Sequence, residues 1–249
     1  MKFTSIIMVH YASNRERSGM MRKSLESLLK STKLPFELIV VDNGGSPDDS
    51  AYLMGKKEIN TYIKNADNLH FAFARNQGTR VANGDYIAIV DNDIVYEKGW
   101  LEECVAVLEA YPDKKIYATP VYNVAHWRPK YWLPEVLEVN GRIYRQNRRA
   151  GSNCFVIRRE DLEKIGDFYI HRVAGTKWTD KAWDMGYHAA VTQDIMVKDL
   201  GFRNGYQINK AIPVRLNLHN SEVYLNEDEF RVENPDLTYI KQKTWKTRE

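Results

Sequence analysis

Long apolar runs, paired cysteines and an excess of one charge are all missing from this chain of 249 residues. No stretch approaches the ~20 apolar residues of a membrane span, and the amino terminus carries no signal-peptide core. The expectation is a cytoplasmic protein without a transmembrane segment, with peripheral contact at a membrane surface left open. There are two cysteines, and Cys104 and Cys154 stand in apolar contexts without CxxC spacing. They read as buried thiols, not as a metal or redox centre. Thirty-six basic residues nearly balance 33 acidic ones, and the net charge of +3 is too small to imply nucleic acid. Locally, Arg142, Arg145, Arg148 and Arg149, then Arg158 and Arg159, form a basic stretch. It can meet anionic phosphate or lipid head groups, or simply be a solvated face.

What is present alternates between short β-branched runs and helical periodicity. Phe3 to His10 and Phe36 to Asp42 read as buried parallel strands. Between them Met21, Leu25, Leu28 and Leu29 fall at helical spacing, with Pro35 closing the link, so the start is a β-α-β unit. Asn60 to Lys64 predicts a third strand, Phe73 to Ala82 a helix, Tyr86 to Val90 a fourth strand, Gly99 to Tyr111 a helix and Lys115 to Pro120 another strand. Residues 121 to 150 read as long loops or an edge hairpin, 151 to 158 as a strand, 159 to 165 as a short helix and 166 to 191 as a long loop. Loops of that length are commonly binding loops. The expectation is a single α/β domain over 1–249, with a mostly parallel central sheet and flanking helices. Within it the expected division falls between residues 1–93 and 94–249.

The fourth strand ends in Asp91-Asn92-Asp93, following Asn83-Gly84-Asp85. Two carboxylates one residue apart at the mouth of a buried strand suit a hard divalent cation and an oxygen-rich ligand. Asp-Asn-Asp also makes turns, because its side chains bond their own backbone. Asp42-Asn43-Gly44-Gly45 places another carboxylate at a strand's carboxyl end, where open α/β sheets bind ligands.

Read in order, Ser5 to Tyr11, Val40 to Gly44, Ala74-Arg75-Asn76-Gln77-Gly78, Gly84 to Asp93, Gly151 to Arg159, Ile165-Gly166-Asp167-Phe168, Gln193-Asp194 and His219 resemble family-2 glycosyltransferases of the GT-A fold. The resemblance runs from about residue 3 to 219, and the order of the motifs is more specific than any one of them. It implies a metal-dependent, inverting transferase using a nucleotide diphosphate-sugar, with UDP-sugar the default and GDP- or dTDP-sugar possible. It implies Mn²⁺ or Mg²⁺ as cofactor, held by Asp91, Asp93 and His219, the histidine following a strand at Val214 to Leu218. Imidazole ligation favours Mn²⁺. The acceptor would be a glycan, a lipid-linked sugar or a small molecule.

For the nucleotide, the resemblance implies His10, Tyr11, Asp42, Asn43, Arg75, Asn76, Asp91 and Asn92. A tyrosine ring can stack on a base and a carboxylate can accept from its N–H edge or a ribose hydroxyl. Equally, Tyr11 can pack at a sheet edge, Asp42 can cap a turn and Arg75 can be a surface helix residue. Where the family has Pro-Thr-Tyr-Asn or Pro-Val-Tyr-Asn, this chain has Val9-His10-Tyr11-Ala12, which leaves base preference open. Asp194 matches the family's general base, at a position that opens a helix, but Gln193 replaces the first of the usual paired acids. Acceptor contacts are expected from Gly151, Asn153, Trp178 and Trp183, the tryptophans competing with a plain core role. A nucleotidylyltransferase would want a glycine-rich phosphate loop after the first strand, and none stands between His10 and Ser18. A retaining transferase or a non-catalytic nucleotide-sugar or glycan-binding protein are the other readings.

Overall fold

The computed structural model describes residues 2–122, 131–148, 153–169, 174–200 and 239–244. Its first half follows the apolar pattern closely: β1 (Thr4–His10), α1 (Arg15–Ser31), β2 (Phe36–Asn43), α2 (Pro47–Met54), β3 (Thr61–Asn65), α3 (Phe71–Val81) and β4 (Tyr86–Asp91). Local chemistry sets the helix starts. The Asn14 side chain accepts from Arg17 N at 3.0 Å, and the Ser46 hydroxyl accepts from Asp49 N at 3.2 Å ahead of Pro47. The Ser-Pro-Asp start of α2 was a legible capping signal that the sequence reading passed over.

The chain continues through β5 (Ile94–Tyr96), α4 (Trp100–Ala110), β6 (Ile116–Tyr122), β7 (Trp132–Val139), β8 (Arg142–Asn147), β9 (Cys154–Arg158), α5 (Arg159–Ile165), α6 (Ala174–Asp184), β10 (His188–Asp199) and β11 (Tyr239–Thr244). One sheet of 11 strands results, ordered β11-β3-β2-β1-β4-β9-β6-β10-β8-β7, with β5 on β10. Strands β3, β2, β1 and β4 are mutually parallel, β9 enters antiparallel, and β6 and β10 run parallel to each other. The edge hairpin anticipated within 121–150 is β7–β8.

Alternation along the central strands divides the core between two faces. Ile6, Met8, Val40, Ala88 and Val90 pack with Met21, Leu25, Trp100 and Leu101 of α1 and α4. Ile7, Ile39, Ile87 and Ile89 pack with Phe73, Leu162 and Trp178 of α3, α5 and α6. Cys104 and Cys154 are both buried free thiols. Among the described residues no helix is long and apolar enough to cross a membrane.

Two expectations change in the second half. The loop over 166–191 contains α6, because Trp178 and Ala182, four residues apart, bury one helical stripe with Thr179 beside it. Asp194 does not open a helix. It lies within β10, whose pairing with β6 is irregular between Val191 and Ile195. The basic stretch is dispersed rather than gathered. Arg158 donates to the carbonyls of Leu108 and Tyr111 at the end of α4, and Arg159 to those of Ala82 and Gly84 beyond α3. Each guanidinium thereby satisfies carbonyls left over at a helix end. Arg142 pairs with Glu103 at 3.1 Å, and Arg149 lies outside the described residues.

Candidate active site

Parallel pairing brings the carboxyl ends of β1, β2 and β4 to one edge, where His10 lies opposite Asp42 and Val9 opposite Asp91. The acidic turn begins there. Asp91 N bonds Asn153 O at 2.8 Å, tying the turn to the segment that leads into β9. The Asp91 carboxylate is 36% exposed and receives Arg75 Nη2 at 2.7 Å. Arg75 is itself buried, with its guanidinium 4.9 Å from the Phe71 ring centre and 5.5 Å from that of Phe168. A surface role for Arg75 is thus excluded: Nη2 aims Asp91, while Nε and Nη1 are buried without a protein partner among the described residues.

Electrostatics separate the two aspartates. Lost hydration raises the Asp91 carboxyl above the usual range, opposed by Arg75. Asp93 is pushed up to about 7, first by lost hydration, then by repulsion from Asp91 and from Asp199, while Arg17 pulls the other way. Asp199, at the end of β10, was not anticipated; its side chain is 3.4 Å from Asn153 Nδ2, and no spacing in the sequence marks it. Arg17 was also missed; it stands in the first turn of α1, just beyond β1, and the helix N-terminus there is itself suited to an anion. The concentration of negative charge suits a divalent cation. Among the described residues, however, no three His, Cys, Asp or Glu side chains form a complete cage, so further ligands must come from solvent, substrate or elsewhere in the chain. His219 lies outside the described residues, as does Gly151.

Several expected nucleotide contacts are committed internally. Asp42 is fully buried and takes four donors, Gly45 N at 2.7 Å, Ser50 Oγ at 2.6 Å, Tyr62 Oη at 2.5 Å and Lys64 Nζ at 2.9 Å. Burial alone would raise its carboxyl, but these bonds hold it below the usual carboxylate value. Asn43 accepts from Asn65 Nδ2 and Leu69 N and donates to Asn68 Oδ1. Asn76 grips the backbone of Phe168 at both ends, donating to its carbonyl at 3.1 Å and accepting from its amide at 2.9 Å. These three side chains are buried and hold together the elements under the site, with most of their hydrogen bonds made inside the protein. Tyr11, Asp91, Asn92 and Asp93 retain exposure.

Both tryptophans expected at the acceptor are packed against other side chains. Trp178 is fully buried, stacked on Phe155 at 5.0 Å and Phe168 at 5.1 Å, and its indole N–H donates to Gly166 O at 3.1 Å. Trp183 is half-buried between His188 at 4.9 Å and the Arg148 guanidinium at 4.9 Å. His188 opens β10, so Trp183 packs at the start of that strand, with Asp194 about 20 Å of extended chain further along it. Asn153 lies beside the acidic turn, its carbonyl accepting from Asp91 N.

Residues 5–166 match the model of the family described as Glycosyl transferase family 2. A glucosyl-dolichyl phosphate glucuronosyltransferase of Haloferax volcanii is 27% identical over 111 residues, which are 44% of this chain and 35% of that protein. A hyaluronan synthase of Pasteurella multocida is 33% identical over 109 residues, 42% of this chain and 11% of that protein. The chain therefore spans about a third or less of these relatives. Among solved structures, GalNAc-T7 with UDP, GalNAc and Mn²⁺ superimposes with a TM-score of 0.63 at 14% identity, covering 80% of this chain and 43% of that one. S. aureus TarS 1-349 in complex with UDP-GlcNAc gives 0.58 at 17% identity, covering 80% and 58%. These likenesses establish the fold, which is GT-A.

Proposed function

The chain belongs to glycosyl transferase family 2, and on that premise we propose that it moves a sugar from a nucleotide diphosphate-sugar, a UDP-sugar first among them, to an acceptor hydroxyl with inversion. The observation that carries this reading is the acidic turn at the carboxyl edge of β1, β2 and β4, where Asp93 is raised to about 7 by lost hydration and two neighbouring aspartates. A site that gathers like charges is suited to a cation bringing a diphosphate with it.

Asp93 and Asp91 would hold Mn²⁺ or Mg²⁺, with His219 as a further ligand, and the bound ion supplies charge neutralisation for the departing diphosphate. Arg75 fixes the Asp91 carboxylate, and Arg17 offers a positive charge beside the turn. Tyr11 stacks on the base above the floor built by Asp42 and Asn43. Asp194, in the irregular stretch of β10, takes the proton of the attacking hydroxyl as general base. Asn153 and Gly151 would contact the acceptor. The acceptor is a glycan, a lipid-linked sugar or a small molecule, met on the cytoplasmic side and at the membrane surface where it is lipid-linked. UDP in the GalNAc-T7 structure and UDP-GlcNAc in the TarS structure support the uridine preference.

The test is a panel of UDP-, GDP- and dTDP-sugars assayed for thermal stabilisation with Mn²⁺ and for release of free sugar, with and without chelator. Metal-dependent release from a UDP-sugar is expected, with the anomer of the transferred product opposite to the donor's. Retention at the anomeric carbon would replace the inverting mechanism, and no response to any donor would refute the transferase reading.

A further inference from the structure

His10 ends β1 fully buried, yet its ring is not packed as an apolar filler. Nδ1 stands 2.9 Å from the amide nitrogen of Asn92, the central residue of the acidic turn, and Nε2 stands 3.4 Å from Asp49 Oδ2. The same Asn92 nitrogen reaches Tyr11 O at 3.3 Å. An amide group has two N–H bonds, and here both are spent on the end of β1. We propose that His10 is a positioning residue for the acidic turn, orienting Asn92, and through it Asp91 and Asp93, toward the cation and the diphosphate. The proposal rests on the transferase reading of that turn.

The wiring has a defined sense. Because Asn92 donates to Nδ1, the imidazole proton belongs on Nε2, facing Asp49. Asp49 is 1% exposed and keeps its charge, with its carboxyl held below the usual range by His10 and by the hydroxyls of Ser18 at 2.7 Å and Ser46 at 3.0 Å. A buried carboxylate behind an imidazole is the arrangement that fixes tautomer and ring orientation at metal sites. Arg22 lies 3.6 Å from the other Asp49 oxygen. The loop from β2 to α2 closes over the ring at Gly45, where a Cβ would come within 2.8 Å of the imidazole. An apolar side chain at position 10 would fill the space but take away the acceptor of one Asn92 N–H.

Two substitutions separate the ring's halves. In His10→Asn the side-chain oxygen falls where Nδ1 was and still accepts from Asn92, while in His10→Gln the amide falls where Nε2 was and keeps only the Asp49 contact. Binding of Mn²⁺ alone, followed by the ion's paramagnetic resonance signal, is measured beside the melting temperature for both variants, for Asn92→Ala and for the double variant His10→Gln/Asn92→Ala. Expected is a loss of about fivefold or more in Mn²⁺ affinity for His10→Gln and Asn92→Ala, the scale of one net hydrogen bond. His10→Asn should stay near wild type, and the double variant should be no worse than either single one. If His10→Asn and His10→Gln weaken Mn²⁺ equally, or additively with Asn92→Ala, the ring is only packing and the proposal fails while the transferase reading stands. Should either histidine variant not fold, Asn92→Ala alone decides: unchanged Mn²⁺ affinity overturns the proposal. Wild type that binds no Mn²⁺ overturns both.

Discussion

Replacing Trp178 by alanine should unfold this protein at a much lower temperature without touching the acceptor. The indole is fully buried between Phe155 and Phe168, meets Tyr117 edge-on at 5.8 Å and ties α6 to the end of α5 through Gly166 O. Truncating a buried tryptophan costs about 3–5 kcal/mol, and the lost stacking and hydrogen bond bring the sum to about 5 kcal/mol. At roughly 2–4 °C per kcal/mol for a chain of this length, the melting temperature should fall by about 10–20 °C. Trp178→Phe keeps a ring in the stack but leaves Gly166 O without its donor, so about 1–2 kcal/mol and a fall of about 3–8 °C are expected. The assay is a thermal melt of both variants, with acceptor KM measured well below each transition. A melting temperature within about 2 °C of wild type together with a raised acceptor KM would refute the core assignment.

The other predictions concern the cleft. Asp93→Asn should abolish Mn²⁺-dependent donor binding because the ion's charge holds the diphosphate, and isothermal titration with UDP in Mn²⁺ checks it; unchanged affinity would remove Asp93 from the site. Since Asp93 in the metal-free chain titrates at about 7 against an ordinary 3.8, its unfavourable ionisation should lower metal-free stability as pH rises from about 4 to 7, while apparent Mn²⁺ affinity climbs as its proton leaves. Denaturant melts and Mn²⁺ titrations across that range read both, and flat profiles would count against the raised value. Asp194→Asn should leave Mn²⁺ and donor affinity nearly intact and cut turnover by about 10²–10⁴-fold, the scale of a lost general base; normal turnover would place the base elsewhere. Gly45→Ala should destabilise the chain and weaken Mn²⁺ binding together, as a Cβ there meets Asp42 Oδ1 at 2.7 Å and the His10 ring at 2.8 Å. A neutral Gly45→Ala would show that the loop relaxes freely.

The sequence by itself determined the β-α-β start, the parallel strands and the acidic turn. These are local or periodic properties: β-branched runs for β1, β2 and β4, a helical stripe at Met21, Leu25 and Leu28, and Asp91-Asn92-Asp93 where a buried strand meets solvent. Tertiary structure decided which polar residues face a ligand. Asp42, Asn43 and Asn76 stand in motifs in one dimension, but their partners at Lys64, Asn65 and Phe168 come from other elements, and only folding brings these internal bonds together. Asp199 joins the acidic turn because β10 pairs with β5, a contact of high sequence separation that no motif announces. Trp183 packs on His188 at the start of β10, and the extended strand sets Asp194 about 20 Å of chain further on, a separation that nearness in sequence does not reveal.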